Sequence, residues 1–252
     1  MKPACRPGLV PQVALKPRMG ARSRGMVLND LMSECPSLLN DLVFYPMWRG
    51  SQCVDMISGA VLTNSASPVL PTAQSPSGEL AGVFASASSQ YLEFPDIGGL
   101  RDFTVAVWHY PTAYSTAQAL ISQWNPSVSR RWEIWCSSID GLFEFVVSHD
   151  NVYANAYKPK AVVAPSLNNW HMIAGTCVAG SRVGLAIDNL PEVNVSAPNS
   201  CYSVSVPINI GRYFSTGYVN GCLGPVAIWR RAVPTQELQL YWNNGMGIRY
   251  PF

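Results

Sequence analysis

Charged side chains are scarce. They make up 13% of the 252 residues, against an ordinary share of about 25%. So few charges exclude a disordered chain, a coiled coil or a solvated helix bundle, all of which need dense charge to stay in water. Long apolar runs are also missing. None approaches the roughly 18–20 residues of a membrane span, and the longest, such as Phe103–Tyr110, have strand length. The seven cysteines are odd in number, scattered and without a C-x-x-C, so neither a disulfide framework nor a zinc knuckle is expected, and buried free thiols are.

Chemistry-bearing motifs are absent too. His109, His149 and His171 stand alone, with no H-x-H or H-E-x-x-H, and no metal site is expected. There is no G-x-S-x-G, P-loop or dinucleotide fingerprint, hence no expected cofactor. A glycan-cleaving sandwich needs two carboxylates on one face roughly 5–9 Å apart, which period two supplies most simply as E-x-D on a strand. Here Glu133 is followed two residues on by Trp135, Glu144 is flanked by Phe143 and Phe145, and Glu93 and Asp96 sit around Pro95. A non-enzymatic protein is expected.

What is present divides unevenly. Residues 1–25 hold Lys2, Arg6, Lys16, Arg18, Arg22 and Arg24 and no acid, an arm of charge +6; the rest has eleven bases against fifteen acids, or −4. Pro3, Pro7, Pro11 and Pro17 interrupt the apolar core of any secretory leader, so folding in the cytosol where the chain is made is expected. A basic arm can contact acidic protein, an anionic surface or nucleic acid. No aromatic residue lies between Met1 and Gly25 to stack on bases, which argues against nucleic acid. The reading divides the chain into an extended arm, 1–29, and a domain, 30–252. A short helix is expected within Val27–Leu42, broken by Pro36.

From Leu42 the pattern is that of strands. Nineteen glycines and twenty prolines supply the turns. In Phe103–Tyr110, Phe103, Val105 and Val107 share one face and Thr104, Ala106 and Trp108 the other, a period of two. Strands are expected at Leu42–Trp48, Tyr91–Phe94, Ala119–Trp124, Trp132–Cys136, Leu142–Val147, Trp170–Cys177, Arg182–Ile187, Val193–Val195, Val206–Ile210 and Gly221–Trp229. Ser65–Gly78 reads as loop. Asp188-Asn189 makes a turn. Strands at this spacing, without helices between them, mean an all-β antiparallel sandwich or jelly roll. One short C-terminal helix opens at Pro234 and Thr235 and ends at Gly245 in a left-handed stop. Phe103, Val105, Trp170, Ile173 and Trp229 are expected between the two sheets, and His171 as a satisfied strand-face histidine.

Several segments resemble a known family. Leu42–Ser51 (LVFYPMWRGS) is similar to the opening L-V-x-x-W-P-M-x-E-G-S strand of concanavalin A-like, laminin-G-like jelly-roll domains. Phe103–Trp108 (FTVAVW), Asn168–Thr176 (NNWHMIAGT), Val183–Leu190 (VGLAIDNL), Val206–Arg212 (VPINIGR) and Gly221–Gly245 (GCLGPVAIWRRAVPTQELQLYWNNG) resemble, in order, their later strands and closing helix. The resemblance covers about Leu42 to Phe252. Leu223-Gly224-Pro225 departs from it where an acidic pair often stands. The family includes sugar-binding and adhesive modules, and bacteriophage virion proteins whose ends resemble Tyr241–Phe252 (YWNNGMGIRYPF).

The resemblance, the arm and the missing leader together imply a virion structural protein: a bacteriophage capsid decoration or head-associated adhesion protein, assembled in the host cytoplasm. Its expected partners are other virion or capsid subunits, copies of itself in a homo-oligomer, and a host-surface glycan, with no membrane. A stand-alone carbohydrate-binding module is the alternative, and a glycoside hydrolase a third reading. Sugar or protein contact would use aromatic faces and planar polar groups. The loops offer Tyr114, Trp124, Asn125, Tyr153, Asn155, Tyr157, Tyr213 and Tyr218.

Overall fold

The computed structural model describes residues 38–114, 116–197, 199–201 and 205–252. The expected arm, with Lys2, Arg6, Lys16, Arg18, Arg22 and Arg24, lies outside the described residues, as does most of the expected Val27–Leu42 helix. The strands are β1 (Leu42–Phe44), β2 (Pro46–Arg49), β3 (Gln52–Asp55), β4 (Thr63–Asn64), β5 (Leu70–Gln74), β6 (Leu80–Phe84), β7 (Leu92–Phe94) and β8 (Phe103–Pro111). They continue with β9 (Gln118–Asn125), β10 (Ser129–Cys136), β11 (Phe143–Val147), β12 (His171–Val178), β13 (Arg182–Ile187), β14 (Val193–Ser196), β15 (Ile208–Ile210) and β16 (Gly221–Trp229). Helix α1 spans Thr235–Trp242.

Two antiparallel sheets face each other. One runs β14-β13-β12-β8-β16-β6-β5, with β1 also on β16; the other runs β11-β10-β9-β15-β7-β4; β2 and β3 form a separate hairpin. Neighbours distant in sequence, such as β8 beside β16, make this a jelly roll and not a meander. Pro225 sits in a central strand, where a missing N–H would break the ladder. The strand answers with a register shift between Leu223 and Val226, a bulge that takes the proline out of pairing.

Phe103, Val105 and Val107 of β8, Ile173 of β12 and Ile228 of β16 pack against Leu120, Trp132, Ile134, Phe143, Phe145 and Val147 of the second sheet. The Phe145 ring lies on the bare Cα of Gly175, where a Cβ would come 2.4 Å from Cγ. The first sheet is buried on its outer face as well. Ala106, Trp108, Met172, Ala174, Ala227 and Trp229 meet Tyr45, Val233, Leu238 and Tyr241 there, and α1 and the C-terminal tail cover them. Trp229 therefore lies under α1 and not between the sheets, stacked edge-on with Tyr241 and donating from Nε1 to the Leu38 carbonyl at 2.6 Å. Trp170 also leaves the inter-sheet space; it packs half-buried on the outer face against Tyr110.

Three local expectations change. Ser65–Gly78 contains the edge strand β5, whose Pro71 is tolerated because an edge strand leaves one side unpaired. Asn243, not Gly245, takes the left-handed position that ends α1 (φ 47°). Cys53, Cys136, Cys177 and Cys201 are free, but Cys222 is disulfide-bonded. His171 is satisfied as expected: Nδ1 lies 2.7 Å from Asp188 Oδ2, in the turn where Asp188 has φ 53°.

Candidate functional site

With β4, β7, β15, β9, β10 and β11 hydrogen-bonded side by side, alternate residues leave the core and form the outer face of the second sheet. Register aligns one row across all six strands: Thr63 opposite Glu93, Glu93 opposite Asn209, Asn209 opposite Ser122, Ser122 opposite Glu133, and Glu133 opposite Val146. Directly opposed residues lie about 4.5–5.5 Å apart at Cβ, so a polar stripe runs from Thr63 to Glu133 and ends at the buried Val146.

Arg212, just after β15, organises one end of the stripe. Its Nε donates to Asn209 Oδ1 at 2.7 Å and a terminal nitrogen donates to Glu93 Oε2 at 2.9 Å. The guanidinium lies 3.2 Å from the centre of the Tyr91 ring, a cation–π contact. Ser122 donates to the Arg212 carbonyl at 3.0 Å. Above these residues opens a cleft of about 190 Å³, with Glu93, Trp124, Asn125, Asn209, Arg212 and Phe214 in its wall.

The other end is acidic and aromatic. Trp135 stands opposite Glu144, which puts Glu144 diagonal to Glu133, roughly 7–8 Å away along the face. Trp135 meets Tyr213 edge-on at 5.7 Å, and Trp124 meets Tyr153 edge-on at 5.9 Å. Lys158 Nζ lies 3.7 Å over the Tyr153 ring. Lys160 bridges Asp140 at 2.8 Å and Glu144 at 3.4 Å. Glu133 is only 4% exposed, and its Oε2 has no hydrogen-bond partner. Burial, helped by the Glu144 charge and opposed by Lys158, pushes its carboxyl up to about 8, so it is protonated at neutral pH.

Of the residues picked from sequence, Trp124, Asn125, Tyr153 and Tyr213 come together on this face. Trp124 is buried at 3% exposure, whereas Tyr153 is 44% exposed, its ring lying between Trp124 and the Lys158 ammonium. Asn155 closes the short turn Tyr153–Asn155 and donates to Asp150 Oδ2 at 2.7 Å. Tyr157 bridges to Val147 at the sheet edge and packs under His149. Tyr114 lies elsewhere, its hydroxyl donating to the Pro165 carbonyl and its ring against Phe143. Tyr218 is half-buried ahead of β16. Sequence reasoning missed Glu93, Asn209 and Arg212. Among the described residues no cluster of histidine, cysteine and carboxylate could hold a metal ion, and no helix is long and apolar enough to cross a membrane.

The fold has solved counterparts. The binding domain of botulinum neurotoxin serotype D superposes with a TM-score of 0.63 at 10% identity, over 81% of this chain and 52% of that one. The same type of domain in complex with N-acetylneuraminic acid gives a TM-score of 0.63 at 9% identity, over 81% and 51%. Domain 4 of AbnA, a GH43 extracellular arabinanase from Geobacillus stearothermophilus, in complex with arabinotriose, gives 0.60 at 13% identity, over 79% of this chain and 97% of that one. The chain thus spans about half the length of the toxin binding domains. No curated protein sequence matches it. A family model described as the concanavalin A-like lectin/glucanases superfamily matches residues 86–239, which include the strands that build the cleft; by this match and by its jelly roll the chain belongs to that superfamily.

Proposed function

We propose that this protein is a non-enzymatic, lectin-like carbohydrate-binding module, with its site on the outer face of the six-stranded sheet. The observation that carries the reading is the cleft walled by Arg212, Asn209, Glu93 and Asn125. It brings fixed planar donors and acceptors beside the Trp124 and Phe214 rings, with Tyr153 packed against Trp124 at 5.9 Å, and sugars are gripped by such pairs of polar and aromatic groups. At about 190 Å³ the cleft falls below the roughly 300–1,000 Å³ of drug-sized pockets, which suits one sugar ring. The solved relatives that hold arabinotriose and N-acetylneuraminic acid support a sugar as the ligand class. Two carboxylates, Glu133 and Glu144, share the face, but the burial of Glu133 keeps it from a glycosidic bond. That favours binding over cleavage.

Calorimetric titration with arabino-oligosaccharides and with N-acetylneuraminic acid-terminated oligosaccharides tests this. One of the two series binds the full chain; Arg212→Ala and Tyr153→Ala each weaken it roughly tenfold, about 1.4 kcal/mol, without unfolding the protein. Silence with both series and across a broad glycan array refutes the reading, and release of cleaved sugar refutes its non-enzymatic part. The virion role rests on the basic arm, outside the described residues, and would add an anchor without altering this site. Deleting residues 1–25 and measuring incorporation into particles tests that role separately.

A further inference from the structure

Cys177 of β12 and the half-buried Cys201 of the β14–β15 connection bring their sulfurs to 3.9 Å across 24 positions of sequence. Cys177 is fixed on both sides by the ladder, opposite Phe103 of β8 and Val183 of β13. Cys201 belongs to no strand, so it can cover the remaining distance to a disulfide's S–S length of about 2.05 Å.

The environments of the two sulfurs differ. The Cys201 thiol is held below its ordinary value, first by the hydrogen bond it shares with Cys177, with the Arg131 guanidinium acting the same way, against burial and the charge of Asp102. Cys177 is raised, first by that shared hydrogen bond and then by burial. Cys53 and Cys136 are pushed up to about 12, mainly by burial, with Asp55 and Asp140 adding. Cys53, Cys136 and Cys177 are buried and Cys201 is half-buried, so among these four sulfurs Cys201 is the one a small oxidant reaches first, and a thiolate there is the nucleophile.

We propose that Cys177 and Cys201 form a peroxide-responsive modification site, with Cys201 as the attacking sulfur and Cys177 as the resolving one. The Cys201 thiolate attacks one oxygen of hydrogen peroxide, the O–O bond breaks, and hydroxide leaves; Cys201 becomes a sulfenic acid. The Cys177 sulfur then attacks the Cys201 sulfur. The S–O bond breaks, the S–S bond forms, and the hydroxyl leaves with the Cys177 proton as water. Both thiols are oxidised and one peroxide is reduced. The new bond ties β12 to the connection ahead of β15, independently of the sugar face.

The test uses the full chain, reduced with dithiothreitol, freed of it, exposed to hydrogen peroxide at neutral pH, alkylated and digested with trypsin. Cleavage after Lys160, Arg182 and Arg212 places Cys177 and Cys201 in the separate peptides 161–182 and 183–212. The expected result is these two peptides joined, two hydrogens lighter than their sum. On oxidation the melting temperature is expected to rise by roughly 5–10 °C more in the parent than in Cys201→Ser, in which the Cys222 disulfide can still re-form. In Cys177→Ser the sulfenic acid has no resolving partner, and dimedone labels Cys201. Alkylation of both cysteines after peroxide, or a disulfide from Cys201 to a different cysteine, overturns the pairing. Dimedone labelling that misses Cys201 in Cys177→Ser overturns the roles.

Discussion

Replacing Glu133 with glutamine should stabilise the protein increasingly as pH rises above about 4.5. The folded carboxyl is pushed up to about 8 by burial, with Glu144 acting the same way against Lys158, while in the unfolded chain it titrates at an ordinary value near 4.5. Between these values the folded state holds one more proton than the unfolded state, so stability falls as pH rises, by about 1.4 kcal/mol per unit. The loss is complete near pH 8 and amounts to about 4–5 kcal/mol. His109 is the mirror case. It is fully buried on β8, its two ring nitrogens have no partner, and its ring packs edge-on at 5.9 Å on Phe143. Burial first, and then the charge of His171, lowers it to about 3. Its stability is whole above the unfolded value near 6.5 and is lost as pH falls toward 3. Between about pH 4.5 and 6.5 the two slopes cancel, and the curve should be flat there.

Urea unfolding followed by tryptophan fluorescence at pH 5 to 8.5 measures this. Glu133→Gln should match the parent near pH 5, where the acid and the amide are isosteric and neutral. It should exceed the parent by roughly 3–5 kcal/mol at pH 8. His109→Leu should show the opposite trend, its difference from the parent growing as pH falls below 6.5. Curves for Glu133→Gln and the parent that stay parallel across this range would refute a protonated Glu133, and with it the burial argument.

Two further substitutions probe the core. Arg131 is 1% exposed and is held by Asp96 at 2.8 Å and the Gly98 carbonyl at 2.8 Å; although burial works against it, hydrogen bonds from Ser205 and Gln123 and the Arg131 charge hold Asp96 below the usual carboxylate range. Asp96→Ala leaves that cation buried and unpaired and should cost about 3–5 kcal/mol in urea unfolding; a loss below 1 kcal/mol contradicts the pairing. Gly175→Ala places a methyl 2.4 Å from Phe145 Cγ and should cost roughly 1–3 kcal/mol. Adding Phe145→Leu should recover part of that loss, and strict additivity would show that the two positions do not press on each other.

The strands were legible because period two survives in local sequence. In β8, Phe103, Val105 and Val107 do face the opposite sheet. What local sequence cannot say is whether the second face meets water. Here it does not: Ala106, Trp108 and Trp229 are covered by α1 and the tail. A buried apolar residue reads the same under a sheet as under a helix, so Trp229 and Trp170 were placed in the wrong layer. β5 was hidden by Pro71 and by the serines and prolines around it, residues an edge strand can carry and an interior one cannot. Asn243 competed with Gly245 for the helix stop because both tolerate a left-handed backbone, and the first to arrive ended the helix.

The site was less legible, for a topological reason. Aromatic residues in loops announce themselves, and Tyr153 and Tyr213 could be picked out singly. Glu93, Ser122, Glu133 and Asn209 are each unremarkable in sequence; they become one stripe only because β7, β15, β9 and β10 are neighbours. Glu93 and its partner Arg212 are 119 positions apart. Two carboxylates can also share a face without sharing a strand. Glu133 and Glu144 share a face through the β10–β11 pairing, in which Trp135 opposes Glu144, and no E-x-D spacing can express that. Pairing across strands concentrates polar groups without any local motif, and it also buries Glu133 without a partner. The lone acid of β10 thus becomes the group whose titration tests the architecture of the whole face.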